Sequence, residues 1–361
     1  ESRRLKAHNP SLRIASAAGT LLLLLLLLLP SVGQAHDKKR AGAAGRLYIP
    51  ALQLSYWYTG GVTLTDPLQP AALSLRGHTL RLAGMFGHRF ESTRTVLVGA
   101  LICEDTLRLA EVIRTLGLPV DIDERAREIR ITGGGGRFSA DRAYLEVGAS
   151  GTALRFGSAL AALANGHFVI DGAPRLQHRP VGSLCACLRA LGASIYATGA
   201  GGAPVVSQPG DLAGGRTSVP ADVSSQFASA LLLIGPCLAG GLSLKLTGRP
   251  VSAPYLDMTE DIMHAFGARV LRPGEGRFAV DGSGYDGREY SIEGDATAAS
   301  YLFAAAAITG GRVRVTNLPE TSRQGDLKIL SVLQEMGASV RRGPEGPEVS
   351  GRAERGVEVD L

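Results

Sequence analysis

The chain has 361 residues, 45% of them hydrophobic, and a net charge of +5. The charge is uneven: residues 1–46 hold eight Lys or Arg against two acids, a net +6, which leaves the rest near neutrality at −1. Such a body lacks the basic patch of a nucleic-acid binder, and its length suits roughly two domains with a sizeable core.

Residues 1–46 form a leader-like segment. Basic residues precede an apolar run over 14–29 that contains nine consecutive leucines; Pro30 and a small-residue site near Ala35 follow. The pattern fits a secretory signal peptide, and the run is short of the ~20 residues a spanning helix needs. The body nevertheless reads as a cytoplasmic enzyme with no membrane partner, and the signal-like segment leaves secretion open. Residues 47–90 show no repeat landmark and stay unassigned. Tyr56, Trp57 and Tyr58 there read as packing residues.

From residue 91 onward the sequence repeats. A helix ends in an apolar residue and Gly four times, at Leu116-Gly117, Leu191-Gly192, Phe266-Gly267 and Met336-Gly337, so the glycines lie 75, 75 and 70 residues apart. Ala-rich helices end at Asn165-Gly166, Gly240-Gly241 and Gly310-Gly311 with matching spacing. Glycine is the expected residue just past a helix. Alternating stretches such as 194–197 and 277–280 read as strands. The expected fold is α/β, made of repeated βαβαββ units. Three units show both helices, and one, the first, shows only its second clearly.

The four cysteines are Cys103, Cys185, Cys187 and Cys237. Cys185 and Cys187 are two apart in an expected helix, so they point to different faces and read as buried free thiols rather than a metal pair. The histidines show no ligand spacing, so neither a metal nor another cofactor is expected.

Several loops have the residue types of an anion site. Residues 148–155 (GASGTALR) form a small-residue turn that feeds a helix, with Gly151 and Thr152 placed for close approach of a ligand; Ser150 or Thr152 could equally be a plain cap. Residues 172–180 (GAPRLQHRP) place Arg175 and Arg179 on a loop, suited to carboxylate or phosphate or to surface ion pairs. Residues 223–227 (VSSQF) put Ser224, Ser225 and Gln226 at the start of a helix that should run to Leu238, with more hydroxyls than capping needs. Residues 250–257 (PVSAPYLD) offer Ser252 and Tyr255, or a turn capped by Asp257. Residues 293–301 (EGDATAASY), capped by Asp295, and 322–326 (SRQGD) repeat the geometry without a clear catalytic group.

Six ordered segments, LEVGASGTALRF, DGAPRLQHRPVGSL, SSQFASALLL, PVSAPYLDMTEDIM, EGDATAASYLFAAAAITGG and SRQGDLKILSVLQEMGA, lie within the stretch from about Thr95 to Arg342. On these the chain resembles the enolpyruvyl transferases, on the branch that acts on shikimate 3-phosphate. The resemblance implies an inside-out barrel of two domains with three units each, here one near-complete domain over 91–287 and a first unit of a second over 288–361. It implies condensation of shikimate 3-phosphate with phosphoenolpyruvate by addition and elimination, releasing phosphate, without metal or organic cofactor. By motif, Ser224, Ser225 and Ser252 would hold the shikimate phosphate. Thr152 and Tyr255 would contact the shikimate portion, and Gly151, Arg175 and Gln226 the phosphoenolpyruvate.

The chain also departs from the pattern. The family has an early loop with a Lys-Ser pair, whereas residues 80–99 read LRLAGMFGHRFESTRTVLVG, and the family's Asn in the first loop is Ala149. The sequence ends at 357–361 (VEVDL), where the family enters the loop with its catalytic Asp. The chain therefore reads as incomplete at both ends. No catalytic residue is assigned, turnover by this chain alone is expected to be impaired, and the partial second domain should expose an apolar face. The competing readings are a non-catalytic remnant that binds phosphometabolites and an exported protein reusing the fold.

Overall fold

The glycine landmarks set the frame. Gly117, Gly192, Gly267 and Gly337 take φ of 97°, 106°, 84° and 106°, a region that residues with a Cβ rarely enter. Each stands just past a helix and turns the chain into the next strand. The computed structural model describes residues 45–49, 54–58, 62–63, 94–248 and 253–359. Most of the leader, the region of the expected Lys-Ser loop and Ser252 lie outside these residues. The chain divides into two compact units, 72–292 with 323–325, and 1–71 with 293–322 and 326–361.

β1 (Gly45–Ile49), β2 (Leu54–Tyr58) and β3 (Val62–Thr63) form an antiparallel sheet in the smaller unit. Tyr56, Trp57 and Tyr58 lie along β2; their expected packing lies outside what is described.

Among the described residues the larger unit has three four-stranded sheets. β4 (Arg94–Val98), α1 (Glu104–Thr115), β5 (Val120–Asp123) and β6 (Glu128–Thr132) come first. A complete βαβαββ unit follows: β7 (Arg142–Glu146), α2 (Gly151–Ala164), β8 (His167–Asp171), α3 (Gly182–Ala190), β9 (Ser194–Ala197) and β10 (Val205–Gln208). The next repeats it as β11 (Gly215–Pro220), α4 (Ser225–Ile234), β12 (Leu242–Thr247), α5 (Pro254–Ala265), β13 (Val270–Gly274) and β14 (Arg277–Val280). The sheet orders are β7-β8-β10-β9 and β11-β12-β14-β13, each with one parallel pair at its edge. β15 (Glu289–Ser291) returns from the far end of this unit to lie parallel to β4, giving β15-β4-β6-β5. It takes beside β4 the place that β7 takes beside β8.

The two kinds of helix bury differently. In α1 the buried residues are Thr106, Leu109, Ala110, Val112 and Ile113, one stripe of an amphipathic helix. In α2 every residue from Thr152 to Ala162 is buried, and in α4 every residue from Phe227 to Ile234. A helix apolar all round belongs in the centre of a core. α2 packs against α1, α3 and α4, and α4 against α5. Phe156, Phe168, Phe227 and Phe266 are fully buried in that core, each worth about 1.5–3 kcal/mol of transfer free energy.

In the smaller unit α6 (Ala296–Thr309), β16 (Arg312–Arg314), α7 (Lys328–Glu335), β17 (Ser339–Arg341) and β18 (Glu348–Ser350) form one helix pair on the antiparallel sheet β16-β18-β17. Its core gathers Phe303, Val313, Val315, Leu318, Leu330 and Val349.

Three local expectations need correction. α4 stops at Ile234, and a 3-10 turn over Gly235–Cys237 replaces its last turn, because Pro236 brings no N–H to an α-helical bond. The left-handed residue that closes α2 is Asn165, at φ 56°, rather than Gly166. Asp257 is no cap: α5 begins at Pro254, and Asp257 pairs with Arg272 from inside the first turn. Cys185 and Cys187 are buried free thiols; burial pushes the Cys185 thiol up to about 11, and Cys187 donates to Ser218 O at 3.2 Å.

Candidate functional site

The loop before α2 and the loop after β8 are one piece of structure. Ala173 N–H donates to Gly148 O at 2.7 Å. A Cβ on Gly172 would stand 2.2 Å from that same oxygen, so only glycine lets the two backbones meet. Arg175 lies in a 3-10 turn (Pro174–His178) pinned by buried Leu176, and its Nη2 donates to Ala149 O at 2.9 Å. The guanidinium is thus held against the turn that opens α2.

Ser150 caps α2, accepting from Ala153 N–H at 2.9 Å. Geometry therefore resolves the choice between Ser150 and Thr152, and the Thr152 hydroxyl is left for another partner. That partner is Gln226 on α4, whose Nε2 donates to Thr152 Oγ1 at 3.4 Å. Gly151 neither takes a positive φ nor packs tightly: a Cβ there would meet nothing nearer than Arg179 Cδ at 4.0 Å. Neither backbone strain nor protein crowding accounts for glycine at this helix start.

Ser224 caps α4, accepting from Gln226 N–H at 3.3 Å, and Ser225 opens the helix. Apart from those that Ser150 and Ser224 accept, the first-turn N–H groups of α2 and α4 have no intrahelical acceptors and sit at the positive end of each helix dipole. Tyr255 lies in the first turn of α5, which is tied to α4 by the Ser229–Thr259 hydroxyl pair at 2.9 Å.

A residue that motif reasoning passed over joins these pieces. Arg155, on the turn of α2 after Thr152, is 7% exposed. Its Nη1 donates to Gln226 Oε1 at 2.6 Å, and Nε and Nη2 donate to Pro180 O at 3.3 and 3.4 Å. The guanidinium lies 5.2 Å over the Phe227 ring. Burial, then the like charge of Arg179, lowers its pKa to about 10, so it remains charged at neutral pH. The signal in the sequence was a lone charge within an Ala/Leu helix.

The structure therefore joins Gly151, Thr152, Arg175 and Gln226 through the two loops and the α2–α4 contact. Ser224 and Ser225 stand on the same α4 turn as Gln226. Among the described residues no group of His, Cys, Asp and Glu could hold a metal ion, and no helix is long and apolar enough to cross a membrane.

The repeated βαβαββ units and the joined starts of α2 and α4 make this an α/β protein with a candidate anion site. The model of the family described as EPSP synthase (3-phosphoshikimate 1-carboxyvinyltransferase) matches residues 85–361, and the chain belongs to that family. The 3-phosphoshikimate 1-carboxyvinyltransferase of Methanoculleus marisnigri is 41% identical over 271 residues, covering 74% of this chain and 64% of that protein. That of Nostoc punctiforme is 37% identical over 295 residues, 81% of this chain and 68% of that protein. An EPSP synthase structure from Acinetobacter baumannii superposes with a TM-score of 0.64 at 24% identity, over 81% of this chain and 65% of the other, and shows the shared fold. The chain thus spans about two thirds or slightly less of the length of these relatives.

Proposed function

We propose that this chain serves the transfer of the enolpyruvyl group from phosphoenolpyruvate to shikimate 3-phosphate, giving 5-enolpyruvylshikimate 3-phosphate and phosphate. In this reading the larger unit holds the anionic groups of both substrates. Ser224, Ser225 and Ser252 hold the shikimate phosphate, Thr152 and Tyr255 meet the shikimate ring, and Gly151, Arg175 and Gln226 meet phosphoenolpyruvate. The division into a near-complete domain over 91–287 and a first unit of a second over 288–361 belongs to the same reading, as does a cytoplasmic location. Two anions that must meet repel each other, and helix starts, hydroxyls and a fixed guanidinium offset that repulsion while aligning the reacting groups.

The observation that supports this most is Gly151. Its open side, at a half-buried helix start and next to Arg175's loop, is where a phosphate could reach backbone N–H groups. Gly151→Ala tests it. The Cβ has room in the free protein, so thermal stability should hold or rise by up to about 1 kcal/mol. Phosphoenolpyruvate binding, measured by calorimetry with shikimate 3-phosphate present, should weaken about tenfold or more, and shikimate 3-phosphate binding little. Unchanged phosphoenolpyruvate affinity would contradict the placement. Phosphate release by the unmodified chain with both substrates separates enzyme from binding-only protein.

A further inference from the structure

We propose that Arg155 is a positioning residue that fixes which way the Gln226 carboxamide faces, so that its NH2 rather than its oxygen is turned to the start of α2. The proposal rests on the reading that Gln226 meets an anionic substrate, and it adds a residue to that reading.

Arg155 is the one charged side chain in α2 and α4 together. It is buried, and among the described residues no carboxylate pairs with it; its partners are Gln226 Oε1 and Pro180 O. A buried cation with neutral partners costs stability that an apolar side chain would not. Packing alone gives no reason for it, although the ring of Phe227 beneath recovers part of the cost.

The chemistry of the two side chains supplies the reason. A carboxamide has one accepting end and one donating end of nearly equal size. A guanidinium only donates. With Arg155 Nη1 at 2.6 Å, the near end of Gln226 must be its oxygen. The NH2 is then forced to the other side, where Thr152 Oγ1 lies at 3.4 Å. This distance is long for a hydrogen bond, so the second N–H and much of the first stay available to a ligand beside Gly151 and Thr152. Without Arg155 the amide could turn over and present a carbonyl oxygen to an incoming phosphate or carboxylate, which would repel it. Arg155 touches no proposed substrate atom and acts through Gln226.

Two measurements on the full chain test this. In ligand-free protein labelled with side-chain 15N glutamine, the Gln226 amide pair is assigned by its loss in Gln226→Met. Arg155→Met should shift and broaden that pair, and Arg155→Lys should shift it less; a pair unmoved by either overturns the proposal. Calorimetry with phosphoenolpyruvate and saturating shikimate 3-phosphate gives the second readout. Arg155→Met and Gln226→Met should each weaken binding about tenfold, and the double variant by the same tenfold, because the two losses are one loss. A double variant about a hundredfold weaker, the product of the singles, would mean that Arg155 acts independently of Gln226 and would overturn the proposal. If Arg155→Met does not fold by circular dichroism, Arg155→Lys replaces it in both readouts, with smaller changes in the same direction. Absence of any phosphoenolpyruvate binding by the unmodified chain counts against the proposed function, while the amide pair still decides the Arg155–Gln226 link.

Discussion

α2 and α6 occupy the same place in the repeat, yet they are buried very differently. Both have 14 residues; Ser150 caps one and Asp295 the other, and each ends in a left-handed residue, Asn165 or Gly310. Their sequences, GTALRFGSALAALA and ATAASYLFAAAAIT, are close in kind. α2 is buried from Thr152 to Ala162, whereas α6 buries Ala296, Ala299, Leu302, Phe303, Ala306 and Ala307 and leaves Tyr301 47% exposed. α2 is walled by helices of two neighbouring units, while α6 packs on α7 and one three-stranded sheet. The burial of an Ala-rich helix of this pattern thus differs with what packs around it. Three helices surround α2, whereas α6 has one helix and a sheet.

Substitutions on the two helices can break that comparison. Phe156 is fully buried on α2, so Phe156→Ala should destabilise the larger unit by about 3–5 kcal/mol, read as a fall in denaturant midpoint. A loss below about 1 kcal/mol would mean that the α2 surroundings are loosely packed. At the small end, Tyr301→Lys on α6 should change stability by no more than about 0.5 kcal/mol. A large loss there would show that Tyr301 is covered and that α6 is an inner helix after all.

Much of this was legible in the sequence, for physical reasons. The helix ends were readable because Gly117, Gly192, Gly267 and Gly337 all occupy a conformation that excludes most other residues. The candidate loops stood out because serine, glycine and arginine at helix starts are an unusual joint choice. Other features were not. β15 is three residues long and pairs with β4 across the whole larger unit, Glu289 against Val96; no local pattern encodes such a distant pairing. Arg155 looks in sequence like one charge in a helix, and only its burial and its neutral partners mark it. Thr152 became free for Gln226 only once Ser150 was seen to cap α2. Ser252, read in sequence as a phosphate ligand, lies outside the described residues.

The proposed site puts the substrates' anionic groups at the starts of α2 and α4. Amide hydrogen exchange of the full chain, with and without shikimate 3-phosphate plus phosphoenolpyruvate, tests it most directly. The account predicts slowed exchange at residues 151–153 and 225–227, with the first turn of α6, 296–298, unchanged. Slowing confined to α6, or none at the starts of α2 and α4 at saturating ligand, would contradict it.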